Sequence, residues 1–321
     1  MLKWYIWFQL HHFMPFFSVV IPLYNKERFI ANTLKSLLLQ TFSDFEVLII
    51  NDGSTDRSES IALSFDDGRI RYFSQENQGV SAARNFGISN ASADHIAFLD
   101  ADDYWHPTFL ESMHNRMLQL PEFLVFAAAI EIETSKTVFK PQYSIAKTGE
   151  FEIVDYFEAS QKESAIWTSS AAFHKSVFEK TGGFDSNIRS GEDIDLWIRI
   201  GLLYPIVFSW KIIAKYIFDA ESLSKNKVYT GNTINFSKFE ALEKTNPKLK
   251  KFLDLNRFSI GVKSKISGNK IAFEKYSKAI DPKNLDLKKQ ILLKLPAVFL
   301  RLLIWIKTVQ VNLGLGSSVF K

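Results

Sequence analysis

Apolar and polar positions along the first hundred residues alternate between two periods. The run "FSVVIPLYN" (residues 17–25) is β-branched and nearly continuous until Asn25, which predicts a buried strand. Ile30, Leu34, Leu37 and Leu38 then recur at helical spacing, the mark of an amphipathic helix lying on a sheet. "FEVLIINDGSTD" predicts a second buried strand running into a Gly/Asp turn. A short helix near 57–65, the strand "RIRYFS", a helix through "GVSAARNFGIS" and the strand "HIAFLD" follow. Strands alternating with helices over this length imply βαβ units and a mostly parallel sheet. Ligands of such sheets bind beyond the carboxyl ends of the strands, where Asn25, Asp52 and Asp100 all fall.

Beyond Asp103 the pattern loosens. A helix is expected from Pro107, a strand from "FLVFAAAIEIET", and a hairpin or loop over 134–165. A helix in "KSVFEKTGGFD" is stopped by Gly182 and Gly183. "SGEDIDLWIRIGLLY" predicts a helix capped at Ser190 or Gly191, with acidic residues where the helix dipole favours them. Its buried side is read as Ile194, Leu196, Trp197, Ile200 and Leu203. Residues 234–280 have apolar positions at three-to-four spacing and many lysines. "ILLKLPAVFLRLLIWIK" follows, and Lys294, Pro296 and Arg301 interrupt it too often for a spanning helix. An interfacial helix fits it better; a helix packed on the preceding domain or a second subunit is the competing reading. At the other end, "MLKWYIWFQLHHF" is short for a transmembrane helix and lacks a signal-type cleavage site. Residues 1–13 are therefore taken as a non-native or flexible extension before Met14. His11 and His12 diverge as neighbours and make no metal site.

Composition changes the picture in two places. The 321 residues contain no cysteine, so disulfides and thiolate sites are excluded, and a net charge of +4 hides an asymmetry. Residues 1–220 carry 19 Lys and Arg against 28 Asp and Glu, while residues 221–321 carry 20 against 7, a net of +13. An acidic body with a basic tail calls for an anionic partner at the tail. The tail matches no nucleic-acid-binding module, so an anionic membrane surface is the expected partner and nucleic acid is not.

The densest chemistry is "AFLDADDYW", with Asp100, Asp102 and Asp103 directly after an apolar run. Asp100 and Asp102 share a face if the backbone stays extended, and two hard carboxylates suit Mg²⁺ or Mn²⁺ bridging to phosphate. An acidic turn leading into the next helix explains the same residues, with Asp103 as a cap. Asp52 in "INDGSTD" is either ordinary turn chemistry or a carboxylate accepting a nucleobase N–H. Arg84 is either a solvated helical charge or a partner of phosphate or a site carboxylate.

Five stretches taken together decide between these readings. "SVVIPLYNKERFIANTLKSLLLQTFSDFEVLIINDGSTDRS", "NQGVSAARNFGI", "AFLDADDYW", "TGGFD" and "GEDIDLWIRIG" resemble, in order and spacing, glycosyltransferase family 2. The resemblance covers residues 16–224 and ends at "ESLS". It implies a GT-A fold: an α/β, Rossmann-like, mostly parallel sheet flanked by helices, here with a basic α-helical C-terminal extension. The implied catalytic domain spans 14–224, its nucleotide half about 16–103 and its acceptor half about 104–224, with residues 225–321 as the helical basic region. The resemblance further implies that Pro22, Tyr24 and Asp52 line the base pocket, with Arg84 near the nucleotide. Asp100 would face ribose and metal, and Asp102 would ligate Mn²⁺ or Mg²⁺. Asp193 would be the catalytic base, with Glu192 beside it. Family members often carry a metal-binding His before the terminal Ser-Leu-Ser, and Asp219 takes that place here.

The activity so implied is inverting transfer of a sugar from a nucleoside-diphosphate donor, a UDP-sugar, to an acceptor hydroxyl in cell-surface polysaccharide or lipid-linked glycan synthesis. The site of action would be the cytoplasmic face of the membrane, with peripheral attachment. Two rival functions share the motifs: a metal-dependent nucleotidyltransferase, which gives Asp193 no task, and a non-catalytic nucleotide-sugar-binding scaffold.

Overall fold

The computed structural model describes residues 14–135, 137–218 and 234–312. The first elements are β1 (Phe17–Leu23), α1 (Ile30–Leu38), β2 (Phe45–Asp52), α2 (Ser58–Leu63), β3 (Ile70–Gln75) and α3 (Val80–Asn90). Next come β4 (His95–Phe98), β5 (Tyr104–Trp105), α4 (Phe109–Gln119), β6 (Val125–Glu133), β7 (Val138–Phe139) and β8 (Phe151–Val154). They are followed by α5 (Tyr156–Ala159), β9 (Ala171–His174), α6 (Ser176–Thr181), α7 (Glu192–Gly201) and β10 (Ile206–Ile217). The C-terminal region is helical: α8 (Glu240–Glu243), α9 (Pro247–Ser267), α10 (Lys270–Lys278), α11 (Leu287–Lys294) and α12 (Ala297–Asn312). The described residues pack into two compact units, 14–126 with 168–186, and 127–135, 137–167, 187–218 and 234–312. These cuts fall inside β6 and after residue 186, away from the motif limits near 103 and 224.

In the first unit the strand order is β3-β2-β1-β4-β9. The pairs β2–β3, β1–β2 and β1–β4 are parallel; β4–β9 is antiparallel. Every residue of β1 and β2 is buried, which is why their sequences read as continuous apolar runs rather than alternating ones. Of the four polar residues in that interior, Ser18 and Glu46 satisfy each other. Ser18 Oγ donates to Glu46 Oε1 at 2.6 Å, and Ser92 and Arg71 donate to the same carboxylate. Burial alone would raise the Glu46 pKa, but these donors outweigh it and hold the group ionised below its usual range.

Sequence patterning misses β9. Its four residues give no strand signal, and pairing with neighbouring strands makes them extended. The helix expected from Pro107 begins at Phe109, with Thr108 at the cap position, so Asp103 does not cap it.

In the second unit, the twelve-residue β10 pairs antiparallel with β8, and β6 turns back on β7. Lys215 of β10 reaches Glu133 and Glu131 of β6, at 2.7 and 3.5 Å. Leu196, Trp197 and Ile200 of α7 are buried as the periodicity predicts, but Leu203 lies past the helix end and is exposed. Asn246 caps α9 by accepting from Leu249 N, Pro247 occupies its first turn, and Gly268 ends it in the left-handed region. The fully buried Asp254 carboxylate accepts from Lys250, Arg257, Asn284 and the Asp281 backbone, tying α9 to the turn before α11. Phe252 of the same helix packs against Tyr156 and Phe157 of α5, at ring separations of 5.3 and 5.6 Å. The basic C-terminal helices thus share one core with residues 127–167.

Helix α3 lies against the parallel sheet through Gly87, where an added Cβ would stand 2.3 Å from Val20 Cγ1 of β1. The clash is with a β-branched core residue that has no free rotamer to adopt. Gly87→Ala is therefore expected to lower stability by about 1–3 kcal/mol in urea denaturation. The double variant Gly87→Ala/Val20→Ala should lose less than the sum of the two single changes. Strict additivity would mean that the helix does not bear on Val20.

Candidate active site

The candidate site is built in the first unit from the loops that follow β1, β2 and β4 and from the start of α3. Tyr24 closes β1, and Asn25 adopts a left-handed conformation (φ 51°) that turns the chain sharply. The turn is laced to the loop after β2. Asn25 Oδ1 accepts from Thr55 N at 2.8 Å, Lys26 N donates to Ser58 Oγ at 2.7 Å, and Glu27 N donates to Asp56 Oδ2 at 3.0 Å. Arg57 N donates back to Glu27 Oε2. The motifs "YNKER" and "DGSTDRS" are therefore one structure.

Asp52 ends β2 and is almost fully buried. Its Oδ1 accepts from Gln78 N and Gln75 Nε2, and its Oδ2 from Gly79 N, at 2.7–2.9 Å. A carboxylate offers about four lone-pair sites, so three are taken by the loop that leads into α3. Asp52 thus organises the turn and keeps one acceptor position unused by these three donors. Pro22 is buried within β1 and Tyr24 half-buried at its end.

Arg84 is the side chain whose surroundings the sequence leaves open. It is 4 % exposed, and its Nη2 donates to Asp100 Oδ1 at 2.7 Å while the guanidinium lies over the Phe184 ring, 5.0 Å from its centroid. The next residue, Asn85, holds Phe184 at both ends: its Nδ2 donates to Phe184 O, and its Oδ1 accepts from Phe184 N. Gly183 leaves room for that clasp, since a Cβ there would stand 2.2 Å from Asn85 Oδ1. So "AARN" and "TGGFD" form one assembly around the Asp100 carboxylate.

The backbone at Asp100–Asp102 is turned, not extended. Asp103 N donates to Asp100 O at 2.9 Å, and Thr33 Oγ1 of α1 donates to the carbonyls of Ala101 and Asp103. Asp100 N donates to Ser169 Oγ, and Trp105 Nε1 to Ser169 O. Asp100 and Asp102 nonetheless stay close enough to repel each other, and Asp102 holds Lys26 Nζ on its Oδ2 at 2.5 Å. Burial, with Asp100 adding to it, pushes the Asp102 pKa up, and the Lys26 charge opposes them. Lys26 and Ser169 are not among the site residues expected from the sequence. Lys26 has one usable signal, its place just past a strand end on the ligand-binding edge; Ser169 has none.

Glu192 and Asp193 belong to the second unit. They begin α7 directly after Gly191, which is left-handed (φ 83°), and both are half-buried. Asp193 Oδ1 accepts from Ile194 N at 2.7 Å. Two residues on, the fully buried Asp195 is bound by Arg199 at 2.9 Å and by Lys238. Burial raises the pKa of Tyr156, and the Asp193 charge adds to that. Asp219 lies outside the described residues, as do residues 1–13.

A family model described as Glycosyl transferase family 2 matches residues 18–182. An uncharacterised glycosyltransferase of Rickettsia typhi is 30% identical over 228 residues, 70% of this chain and 67% of that protein. The uncharacterised glycosyltransferase EpsJ of Bacillus subtilis is 32% identical over 56% of this chain and 54% of its own length. Among solved structures, S. aureus TarS superposes with a TM-score of 0.62 at 20% identity, covering 84% of this chain and 50% of TarS. TarS residues 1–349 in complex with UDP-GlcNAc superpose with a TM-score of 0.55 at 19% identity, covering 86% of this chain and 78% of that one. This structural likeness shows that the chain shares the fold of TarS.

The Arg84–Asp100 pair yields a stability test. Asp100→Ala takes its carboxylate from a buried guanidinium and should cost about 2 kcal/mol or more. Adding Arg84→Met should recover part of that loss, because no buried charge then remains. Urea denaturation at neutral pH of the two single variants and the double variant checks the coupling; independent effects would show that the pair is incidental.

Proposed function

The chain belongs to glycosyl transferase family 2, and from that premise we propose an inverting glycosyltransferase that takes its sugar from a UDP-sugar. The acceptor is a hydroxyl of a cell-surface polysaccharide or lipid-linked glycan. The observation that carries this reading is the carboxylate pair after β4. Asp100 and Asp102 lie in one turn, each matched by its own cation, on the edge where β1 and β2 also end. On this reading Tyr24, Pro22 and Asp52 take the base, Asp100 the ribose, and a cation-holding carboxylate the phosphates. UDP as the nucleotide is supported by the UDP and UDP-GlcNAc complexes of TarS, whose architecture this chain shares.

The residues fit Mg²⁺ or Mn²⁺. The donors are hard oxygens, and an Asp102 oxygen already holds a cation, the Lys26 ammonium. No cluster of three or more metal-type ligands occurs among the described residues, so diphosphate oxygens and water would complete the shell. Asp219 is the further ligand that the resemblance suggests. Such an ion, when bound, neutralises charge on the departing diphosphate. Arg84 fixes Asp100 through one oxygen, beside Asp102. Asp193, with Glu192 beside it, takes the proton of the acceptor hydroxyl. Asp193 suits that task as a half-buried carboxylate on a helix pinned by the Asp195–Lys238 pair.

Attachment to an anionic membrane surface, the cytoplasmic leaflet, is the second part of the proposal. No helix among the described residues is long and apolar enough to cross a membrane. Helix α12 instead leaves Val298, Phe299, Leu302, Leu303, Trp305 and Ile306 exposed at helical spacing, a single apolar face. Lys283, Lys288 and Lys294 are exposed just before it. An apolar stripe beside basic residues is what an interfacial helix presents to anionic lipid.

Two measurements test these readings. The purified chain, supplied with UDP-sugars and acceptor, should release UDP. Asp193→Asn should lower kcat by about 10²–10⁴-fold while UDP affinity by calorimetry stays the same. A much smaller drop would move the base elsewhere. In vesicle co-sedimentation, the wild-type chain should bind phosphatidylglycerol vesicles at low salt and less at high salt. The Phe299→Ser/Trp305→Ser variant should stay in the supernatant with UDP binding intact. Equal sedimentation of both proteins would remove the helix from the interface.

A further inference from the structure

Asp100 and Asp102 are neighbours with opposite kinds of counter-ion. The cation on Asp100 is a guanidinium buried in α3 against the Phe184 ring, its side chain 5% exposed. It cannot leave without stranding a charge in the interior. The cation on Asp102 is an ammonium on a flexible four-carbon stem rooted in a rim turn, its side chain 23% exposed. The root of that stem does not move freely. Lys26 N is held by Ser58 Oγ, its carbonyl accepts from Phe29 N and Ile30 N, and the Asn25 side chain ties the same turn to Thr55. The stem can swing to water, where a lysine head is strongly hydrated.

We propose that Lys26 is an exchangeable resident counter-ion of Asp102, occupying the carboxylate until a divalent ion displaces it. The inference rests on the metal reading of Asp102 given above and adds a residue that the reading does not use. A divalent ion and the Lys26 ammonium both claim Asp102 Oδ2, and two cations at one oxygen repel strongly at such separations. Binding of the ion is therefore a substitution rather than an addition. Two consequences follow. The metal-free rim is already neutralised, so the turn at 100–103 is formed before any ligand arrives. Metal affinity is also set partly by the strength of the Lys26 contact, which makes Lys26 a positioning and tuning residue rather than a catalytic one. Arg84 has no such role, because its place in the core ties it to Asp100.

The experiment is a Mn²⁺ titration of the nucleotide-free full chain, with free Mn²⁺ read by electron paramagnetic resonance and the thermal midpoint read in parallel. Lys26→Met should tighten Mn²⁺ binding about tenfold, the worth of one charge-assisted hydrogen bond that no longer has to be broken. The metal-free variant should melt below the wild type, and saturating Mn²⁺ should close the gap. Lys26→Arg should retain the competition and bind no tighter than the wild type. Arg57→Met removes a positive charge from the adjoining loop, where it pairs with Glu27 instead of Asp102, and should leave Mn²⁺ affinity near the wild-type value. Equal affinities in Lys26→Met and the wild type would overturn the exchange while leaving the metal reading standing. Equal tightening in Arg57→Met would overturn it as well, by reducing the effect to overall charge. A wild type that binds no Mn²⁺ even with UDP present would overturn the metal reading, and this inference with it.

Discussion

A guanidinium shut inside a protein must have a carboxylate, and the geometry of the first unit follows from the one that Arg84 has. To reach Asp100 Oδ1 from α3, the helix must lie close to β1, which Gly87 permits by presenting no side chain to Val20. To shield the guanidinium, an aromatic face must cover it, and Phe184 does so only because Asn85 grips its backbone at both ends. Removing any one of these leaves a charge in a low-dielectric interior, where an unpaired group is costly. The ion pair is weak evidence for net stability. It is strong evidence that the arrangement is unique, because few other packings of these residues satisfy the charge.

The same rule extends around the rim. Buried strands end abruptly at the carboxyl edge, and the loops beyond them carry backbone groups that no ladder satisfies. Each loop supplies partners for another. Asn25 binds the loop after β2, Asp52 binds the backbone that enters α3, and Ser169 binds the backbone of Asp100. Hence stretches that lie up to a hundred residues apart in sequence behave as one surface. A ligand bound there meets groups already oriented by one another, which lowers the ordering cost of binding.

Much of this is legible in the amino-acid order alone. Buried parallel strands show as continuous apolar runs, α1 as a 3.6-residue period, and the three strand-end residues as one edge by the geometry of βαβ units. What escapes is whatever depends on tertiary partners. β9 is four residues of "AAFH" that become a strand through pairing with neighbouring strands, β4 among them. The extended Asp-x-Asp expected from strand alternation is a turn, because Asp103 bonds back to Asp100 and Thr33 braces it from α1. Leu203 belongs to the helical apolar pattern but lies after the helix has ended. Lys26 is one charge among the 39 Lys and Arg, and its length and mobility give no periodic signal.

The second unit adds a mechanical consequence. Gly201 lets α7 press on Tyr156 so closely that an added Cβ would stand 2.6 Å from the Tyr156 Cβ. Tyr156 packs in turn on Phe252 of α9, and Arg301 of α12 donates twice to Ile266 O near the end of that helix. Arg301 therefore caps a carboxyl-terminal helix end, where a cation is favoured. Asp193 at the start of α7 and the exposed face of α12 are joined by a chain of packed contacts rather than by a linker. If α12 lies on a membrane, α7 is carried at a set height above it, because close-packed interiors transmit position with little slack. If Asp193 is the base proposed above, its fixed height would suit an acceptor that is itself anchored in the same membrane, where the reacting hydroxyl is confined to a narrow layer.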